Sequence, residues 1–177
     1  MFQAMSYNTV TLEDTQACIA VIINVSNGPI LRKSLLDGKL SSSLLNCTNI
    51  LNQDQLNLAV FKAIVSQAQN CMVTRNIYSE IIYQLSPNKQ ISQAFKLFSM
   101  QETDKEFVAI TLGHQKEKDM EEVIALSGGE CRSLDDISSF NSTEAIKKTY
   151  KIEESELLLG SLSDAVISRI AGKEFLA

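Results

Sequence analysis

A short run of apolar, mostly β-branched residues constrains the fold more than any other feature of the sequence. Cys18 to Ile23 reads CIAVII, is followed by turn-forming residues, and is the longest uninterrupted apolar stretch. Such a run predicts a buried central strand, whereas a membrane-spanning helix needs about 20 apolar residues. Val10 and Leu12 alternate with polar residues and predict a strand just before it. We therefore expect a sheet, and we expect no membrane among the partners.

Helical periodicity occupies more of the chain than strand patterns do. Apolar residues recur at helical spacing between Asp54 and Gln69, with Asp54 as the predicted N-cap, and again between Ile77 and Leu85. Ser86-Pro87 predicts the end of the second helix, because proline lacks an amide hydrogen. The same two residues are expected to begin the next helix. Its buried positions are predicted to be Ile91, Ala94, Phe95 and Phe98.

Shorter patterns complete the predicted secondary structure. Pro29 is expected to open a short helix that Gly38 ends. Lys105 to Gly113 reads KEFVAITLG and predicts a strand. The remaining predictions are an amphipathic segment that ends at Gly128-Gly129, a strand at 131–134, a helix from Ser142 to Tyr150, and a C-terminal helix from about Ser161.

These elements favour one fold class. Strands scattered among more numerous helices, without regular alternation, are typical of α+β proteins. The 177 residues match the length of one domain. We predict a single domain over residues 1–177, with a small, mainly antiparallel sheet packed by several helices. Disorder is expected only within residues 1–8.

Composition and motifs disfavour several classes of function. A net charge of -5 disfavours a protein that holds nucleic acid by itself, although a local basic patch remains compatible with it. The first 17 residues lack the basic start and apolar run of a signal peptide, so we expect a cytoplasmic and nuclear location. Four widely spaced cysteines and one histidine, His114, predict no metal site. Without a phosphate-binding loop or a nucleophile motif, we predict no catalytic residue, no cofactor and no enzymatic activity.

Glu80 allows two interpretations. A carboxylate near the start of a helix is stabilised by the helix macrodipole, by about 1 kcal/mol at most at an exposed site. Alternatively, Arg75, Asn76 and the helix start meet Asn88 and together bind a phosphate or a nucleotide end. Helix starts are common and anion sites are fewer, so the first interpretation is favoured.

The C-terminal helix also allows two interpretations. Its apolar face is wider than packing on one neighbour requires, and excess apolar surface often marks an interface with a partner. Burial in the protein's own core is the alternative, which we slightly favour. The residues concerned are Leu162, Val166, Ile167 and Ile170.

Two blocks of sequence resemble a known family. SEIIYQLSPNKQISQAFKLFSM, residues 79–100, and NSTEAIKKTYKI with GSLSDAVISRI, residues 141–152 and 160–170, are similar to the TPRKB-like kinase-binding subunits of the KEOPS, or EKC, complex. A weaker similarity extends to residues 31–46 and 59–63, so the resemblance covers most of the chain. It implies an α+β fold and a noncatalytic regulatory subunit.

The resemblance also implies partners. Members of this family bind the small atypical kinase/ATPase of the complex, and reach its other subunits through that kinase. The complex installs threonylcarbamoyladenosine in tRNAs, and archaeal relatives engage the single-stranded acceptor end. The candidate kinase-interface residues are Leu162, Val166, Ile167 and Ile170, and the candidates for the tRNA end are Arg75, Ser79, Asn88 and Gln90.

The sequence departs from the family at two places, and two other hypotheses stay open. Ser163 stands where relatives carry a leucine, and the connector at 73–76 retains one cation. A free-standing RNA-end-binding protein without a kinase partner is the first alternative. A small enzyme with an unrecognised site is the second, with His114 and Glu80 as the residues to test.

Overall fold

The computed structural model describes residues 7–12 and 14–175. Residues 1–6, which fall in the segment where disorder is expected, lie outside the described residues. Asn8, which falls in the same segment, already belongs to the first strand and pairs with Ile19.

The described strands form one antiparallel sheet. β2 is its central strand, with β4 on one side and both β1 and β5 on the other, and β3 pairs with the far side of β4. β1 pairs with the first half of β2, and β5 pairs with its last three residues. The strand bounds are β1 Asn8–Leu12, β2 Thr15–Ile23, β3 Ser43–Asn46, β4 Phe107–Leu112 and β5 Glu130–Arg132.

Helices pack on both faces of this sheet, which confirms the α+β class. Alternate residues of β2 face opposite ways, so Ile19 and Val21 join one apolar cluster while Cys18 and Ile22 join another. Both faces are covered, and every residue from Ala17 to Ile22 is fully buried. The helix bounds are α1 Gly28–Leu36, α2 Gln53–Ala68, α3 Ile77–Leu85, α4 Ile91–Phe98, α5 Lys116–Ser127, α6 Thr143–Tyr150 and α7 Leu162–Ala171.

The two clusters are covered by different helices. The larger cluster contains side chains of α2, α3, α6 and α7. The smaller one is closed by Leu31 of α1 and by Met120 and Val123 of α5. Three short 3₁₀ turns complete the described secondary structure, at Leu134–Ser139, Glu156–Leu158 and Lys173–Phe175.

The N-cap of α2 lies two residues before the predicted one, so that prediction is wrong. Asn52, not Asp54, is the N-cap, and its side-chain oxygen accepts a hydrogen bond of 3.1 Å from the Gln55 amide. Asn52 has an extended backbone, as N-cap residues typically do. Asp54 lies in the first turn, where its carboxylate faces the positive end of the helix dipole.

Ser86-Pro87 ends α3 as predicted, but it does not begin α4. Instead, Asn88 donates its amide to the Ser86 hydroxyl and Gln90 donates its amide to the Asn88 side chain. These local side-chain bonds compete with helix formation, so α4 starts only at Ile91, capped by Gln90. Ile91 is 41% exposed, so it is not part of the buried stripe. Ala94 and Phe98 are buried, and Phe95 is partly buried.

Strand β3 was not among the predicted elements. It has only four residues, SLLN, and lacks the polar alternation that marks a strand. Leu44 and Leu45 are both buried because they face opposite sides of the sheet, where each joins a different cluster. The strand predicted at 131–134 lies at Glu130–Arg132, because Ser133 accepts a hydrogen bond from the Asp135 amide and begins a 3₁₀ turn there. The other predicted strands and helices are confirmed.

Candidate functional site

α7 divides its four candidate residues between core and surface. Val166 and Ile170 are fully buried in the larger cluster, whereas Leu162 and Ile167 are partly exposed. Burial in the protein's own core, the alternative for this helix, therefore applies to Val166 and Ile170. A partner docking on this fold cannot contact those two side chains.

Two hydrogen bonds fix α7 alongside α2. Asn52 at the start of α2 donates its amide to the Ser163 hydroxyl over 2.9 Å. Lys62, further along α2, donates to the Ile170 carbonyl over 2.7 Å, which satisfies one of the last carbonyls of α7. Ser163, the departure from the family pattern, therefore joins the two helices.

The turns that flank α7 expose large apolar side chains. Among the described residues, Leu158, Leu159 and Phe175 are 86%, 94% and 90% exposed, above every other large apolar side chain. Arg169 donates to both carboxylate oxygens of Glu156 at 2.8 Å, so the preceding turn folds back along α7. We call the exposed apolar side chains of α7 and of the turns at its two ends the α7 surface. α7 spans about 15 Å, so Leu158 and Leu159 lie at one end of this surface and Phe175 at the other. Its members are Leu158, Leu159, Leu162, Ile167 and Phe175.

The structure does not bring the four tRNA-end candidates together. Arg75 and Ser79 lie at the start of α3, whereas Asn88 and Gln90 follow its end. Nine helical residues span about 13 Å. The hypothesis that Arg75 meets Asn88 in one site is therefore wrong.

Arg75 and Ser79 line a groove of about 580 Å³ between α1 and α3. Its other polar residues include Arg32 and Asn76, and its apolar side chains include Phe95. The Ser79 amide already donates to the Asn76 side chain over 2.9 Å, so this amide of the helix start is not available to a ligand.

Asn88 and Gln90 line a different cleft, of about 390 Å³, which we call the basic cleft. Four basic side chains line it, and none of its described lining residues carries a carboxylate, although Glu156 pairs with Arg169 from outside the lining. The cations come from four separate segments: the loop after α3, the end of α6, α7 and the C-terminal turn. They are Lys89, Lys151, Arg169 and Lys173.

Lys173 is the unusual member of this cleft because it is only 1% exposed. Its ammonium donates a hydrogen bond to the Tyr83 carbonyl and lies 3.2 Å from the centroid of the Tyr83 ring, a cation–π contact. Burial, together with the nearby Lys62 ammonium, lowers the pKa of Lys173 from its usual value to about 7. The charge of the cleft therefore changes near neutral pH.

Glu80 has a structural role. Its side chain is fully buried, and one carboxylate oxygen accepts hydrogen bonds from the amides of Val73 and Thr74 and from the Thr74 hydroxyl, at 2.7 to 3.0 Å. The other oxygen accepts from the Gln84 side chain at 2.9 Å. The carboxylate thus holds the connector between α2 and α3. This favours the structural interpretation, through hydrogen bonds rather than the helix dipole alone.

Metal ligands and membrane-spanning helices were also considered among the described residues. Within residues 7–12 and 14–175, no group of three histidine, cysteine or acidic side chains is placed to hold a metal ion. His114 is exposed after β4. None of the helices that the structure describes is both long enough and apolar enough to cross a membrane.

Comparison with known proteins identifies the family. The family model described as "Kinase binding protein CGI-121" matches residues 22–174. The chain belongs to this family. The resemblance to the TPRKB-like subunits of the KEOPS complex is thereby confirmed.

Three members of the CGI-121 family show how far the similarity extends. The zebrafish (Danio rerio) EKC/KEOPS complex subunit TPRKB is 36% identical over 153 residues, which cover 85% of this chain and 87% of the relative. The Schizosaccharomyces pombe subunit cgi121 is 29% identical over 150 residues, covering 81% and 86%. The Candida glabrata subunit CGI121 is 27% identical over 169 residues, covering 94% and 95%. Both α7 and the basic cleft lie within the region that matches the CGI-121 family model.

Proposed function

We propose that this chain is the noncatalytic kinase-binding subunit of its organism's KEOPS complex, and that it binds the small atypical kinase/ATPase through the α7 surface. The observation that supports the location is the exposure of Leu158, Leu159 and Phe175, which flank α7 on both sides. The family to which the chain belongs supports the kind of partner. The expected cytoplasmic and nuclear location is part of the same proposal.

The energetics favour a partner on this surface. Fully burying a leucine or phenylalanine side chain is worth about 1.5–3 kcal/mol. Three such side chains are exposed in this fold, so burying them against a partner would contribute a substantial favourable free energy of binding. Binding through them is apolar, so we expect it to depend little on salt.

Binding alone is enough for a regulatory role. A subunit that binds one conformation of the kinase better than another shifts the kinase toward that conformation. The other subunits are then reached through the kinase, and this chain supports threonylcarbamoyladenosine formation in tRNA without a catalytic group of its own.

The kinase proposal is tested by replacing the exposed leucines. In the double variant Leu158→Ser, Leu159→Ser, we expect affinity for the kinase to fall about 100-fold, because two buried apolar contacts are lost. The control is Leu36→Ser on α1, which is 75% exposed and lies on the other face of the sheet. Equal affinities of the double variant and the wild type would exclude these leucines from the interface.

We further propose that the basic cleft helps to hold the acceptor end of tRNA. Four basic side chains line one cleft in a protein of net charge -5, and a local concentration of positive charge favours phosphate groups. Arg169 is already paired with Glu156 and Lys173 is buried against Tyr83, so Lys89 and Lys151 are the cations that a phosphate would meet first. Asn88 and Gln90 add amide groups that can donate to and accept from base edges. Weak contacts suffice here, because the kinase and the RNA are held in one assembly.

The RNA proposal is tested with Lys89→Gln and Lys151→Gln together. We expect weaker binding of an acceptor-stem RNA, and a slope of log affinity against log salt that is smaller by about 1.4, since each single-strand phosphate contact contributes about 0.7. Lys33→Gln with Lys118→Gln removes the same charge from exposed positions outside the cleft and serves as control. Binding that is indifferent to trimming the RNA 3′ end would contradict the proposal.

A free-standing RNA-end-binding protein is the second candidate function. The observation in its favour is that Asn88 and Gln90 lie beside Lys89 and Lys151 in one cleft, where amide groups and cations can meet an RNA end together. It predicts full RNA affinity in the absence of the kinase and no detectable complex with it. The kinase titration therefore separates the two functions.

A further inference from the structure

The C-terminal turn, Lys173–Phe175, is held on the protein mainly through lysine side chains. We call this turn the C-terminal strap. Lys62 pairs with the Glu174 carboxylate at 2.9 Å, and Lys89 donates to the Glu174 carbonyl over 3.2 Å. Lys173 reaches inward to the carbonyl and ring of Tyr83. Phe175 is 90% exposed and contributes little burial, so we expect the strap to open more easily than the core.

The strap belongs to both candidate sites. Lys173 lines the basic cleft, and Phe175, two residues later, is part of the α7 surface. Residues of a 3₁₀ turn rise about 2 Å each, so these two positions are about 4 Å apart along its axis. Displacement of the strap therefore alters both sites at once.

Burial is the main cost of placing the Lys173 ammonium against Tyr83. Lys62 of α2 lies close enough to disfavour a second ammonium, whereas Glu174 on the strap and the buried Glu80 on α3 favour it. Three more cations line the same cleft: Lys89, Lys151 and Arg169. Arg169 is paired with Glu156, whereas Lys151 forms no ion pair with a carboxylate among the described residues. An anion in the cleft would favour the charged form of Lys173 and so offset the cost of burying its ammonium.

We propose that the strap couples the two sites: a phosphate-bearing anion in the basic cleft holds Lys173 against Tyr83 and thereby holds Phe175 in position on the α7 surface. The inference rests on the proposed function, because the cleft is the proposed RNA site. By linkage, a partner that fixes Phe175 raises the anion affinity of the cleft by the same factor.

Proton uptake is a second consequence. Lys173 in the empty cleft has a pKa of about 7, so at slightly alkaline pH it is largely uncharged. An anion beside it favours the charged form. Anion binding therefore takes up protons at pH 8, which titration calorimetry detects as heat that differs between buffers of different ionisation enthalpy.

Hydrogen exchange of the full chain tests the coupling without the kinase. Amide exchange in the peptide covering residues 168–175 is measured alone, with inorganic pyrophosphate, and with an RNA tetranucleotide. We expect the bound anion to slow exchange there by about fivefold, because it stabilises the docked strap. Lys173→Met should still bind the anion through the other three cations but lose both the slowing and the proton uptake. Lys118→Met, which changes an exposed lysine on α5, should behave as the wild type.

The possible results separate the coupling from the proposed function. Slowing by both probes supports coupling through phosphate alone, and slowing by RNA only supports coupling with a nucleic-acid ligand. Binding without slowing, or slowing that persists in Lys173→Met, overturns the coupling while leaving the RNA site intact. Absence of any binding overturns both the coupling and the RNA site. If Lys173→Met fails to fold, Lys173→Gln replaces it, and the anion-dependent slowing and the proton uptake must again be lost because the ammonium is absent.

Discussion

The centre of the sheet and the C-terminal quarter of the chain differ in how completely the protein buries its own apolar side chains. In β2 every residue from Ala17 to Ile22 is buried. On α3, the buried carboxylate of Glu80 has hydrogen-bond partners on both oxygens. Around α7, three large apolar side chains are almost fully exposed and four cations share one cleft. The apolar side chains of the first region are covered within the chain, whereas those of the second are exposed, and we propose that partners cover them.

The same contrast runs through α7 itself. Val166 and Ile170 face the core, while Ile167 and the flanking turns face solvent. A helix can thus fix its own position with one face and offer the other face to a partner. The following variants test this division, beginning with the largest expected effect.

Ile170→Asp should destabilise the fold rather than only the interface. Ile170 is fully buried, and an unpaired charge at such a site costs about 4 kcal/mol or more of unfolding free energy. Urea unfolding followed by circular dichroism measures the loss. Ile167→Asp, on the same helix but partly exposed, is the control and should lose much less. A stable Ile170→Asp protein would remove this side chain from the core.

Glu80→Gln should lower the unfolding free energy by about 2 kcal/mol, because the acceptor of several hydrogen bonds loses its charge while its size is kept. Hydrogen exchange in residues 71–76 should accelerate at the same time. Glu144→Gln, in the first turn of α6 and exposed, isolates the helix-dipole effect and should cost under about 0.5 kcal/mol. Equal losses in the two variants would mean that the dipole alone explains Glu80.

The unfolding free energy should rise between pH 7 and pH 9 through Lys173. In the folded protein the pKa of Lys173 is about 7, below its ordinary value of 10.5. Between pH 7 and pH 9 the unfolded chain therefore binds more protons than the folded protein does. Proton binding stabilises the unfolded chain less as pH increases, so the free energy of unfolding rises. Local release of the strap limits the observed gain to about 1 kcal/mol. Lys173→Met should flatten this slope in urea unfolding, while Lys118→Met should retain it. An unchanged slope in Lys173→Met would assign it to other groups.

Periodicity predicted most of the fold, because apolar spacing is set by local geometry. It identified β2, α2, α3 and α7 to within a few residues. It missed β3, whose four residues are too short to show a period, and it placed the cap of α2 at Asp54 because Asn52 offers the same chemistry two residues earlier.

The site was predicted less completely. Apolar spacing identified the residues of α7 but could not show which of them the core covers. The basic cleft is assembled from four separate segments, so no local pattern contains Lys89, Lys151, Arg169 and Lys173 together. Of the residues predicted to bind the tRNA end, Asn88 and Gln90 line this cleft. Arg75 and Ser79, which the same prediction names, lie at the other end of α3.

The most direct test is isothermal titration of this protein into its organism's KEOPS kinase at two salt concentrations. Apolar docking on the α7 surface predicts saturable one-to-one binding whose affinity changes little with salt. Absence of binding would contradict the kinase-binding function. Affinity that falls steeply with salt would contradict the docking surface and would move the contact to the basic cleft.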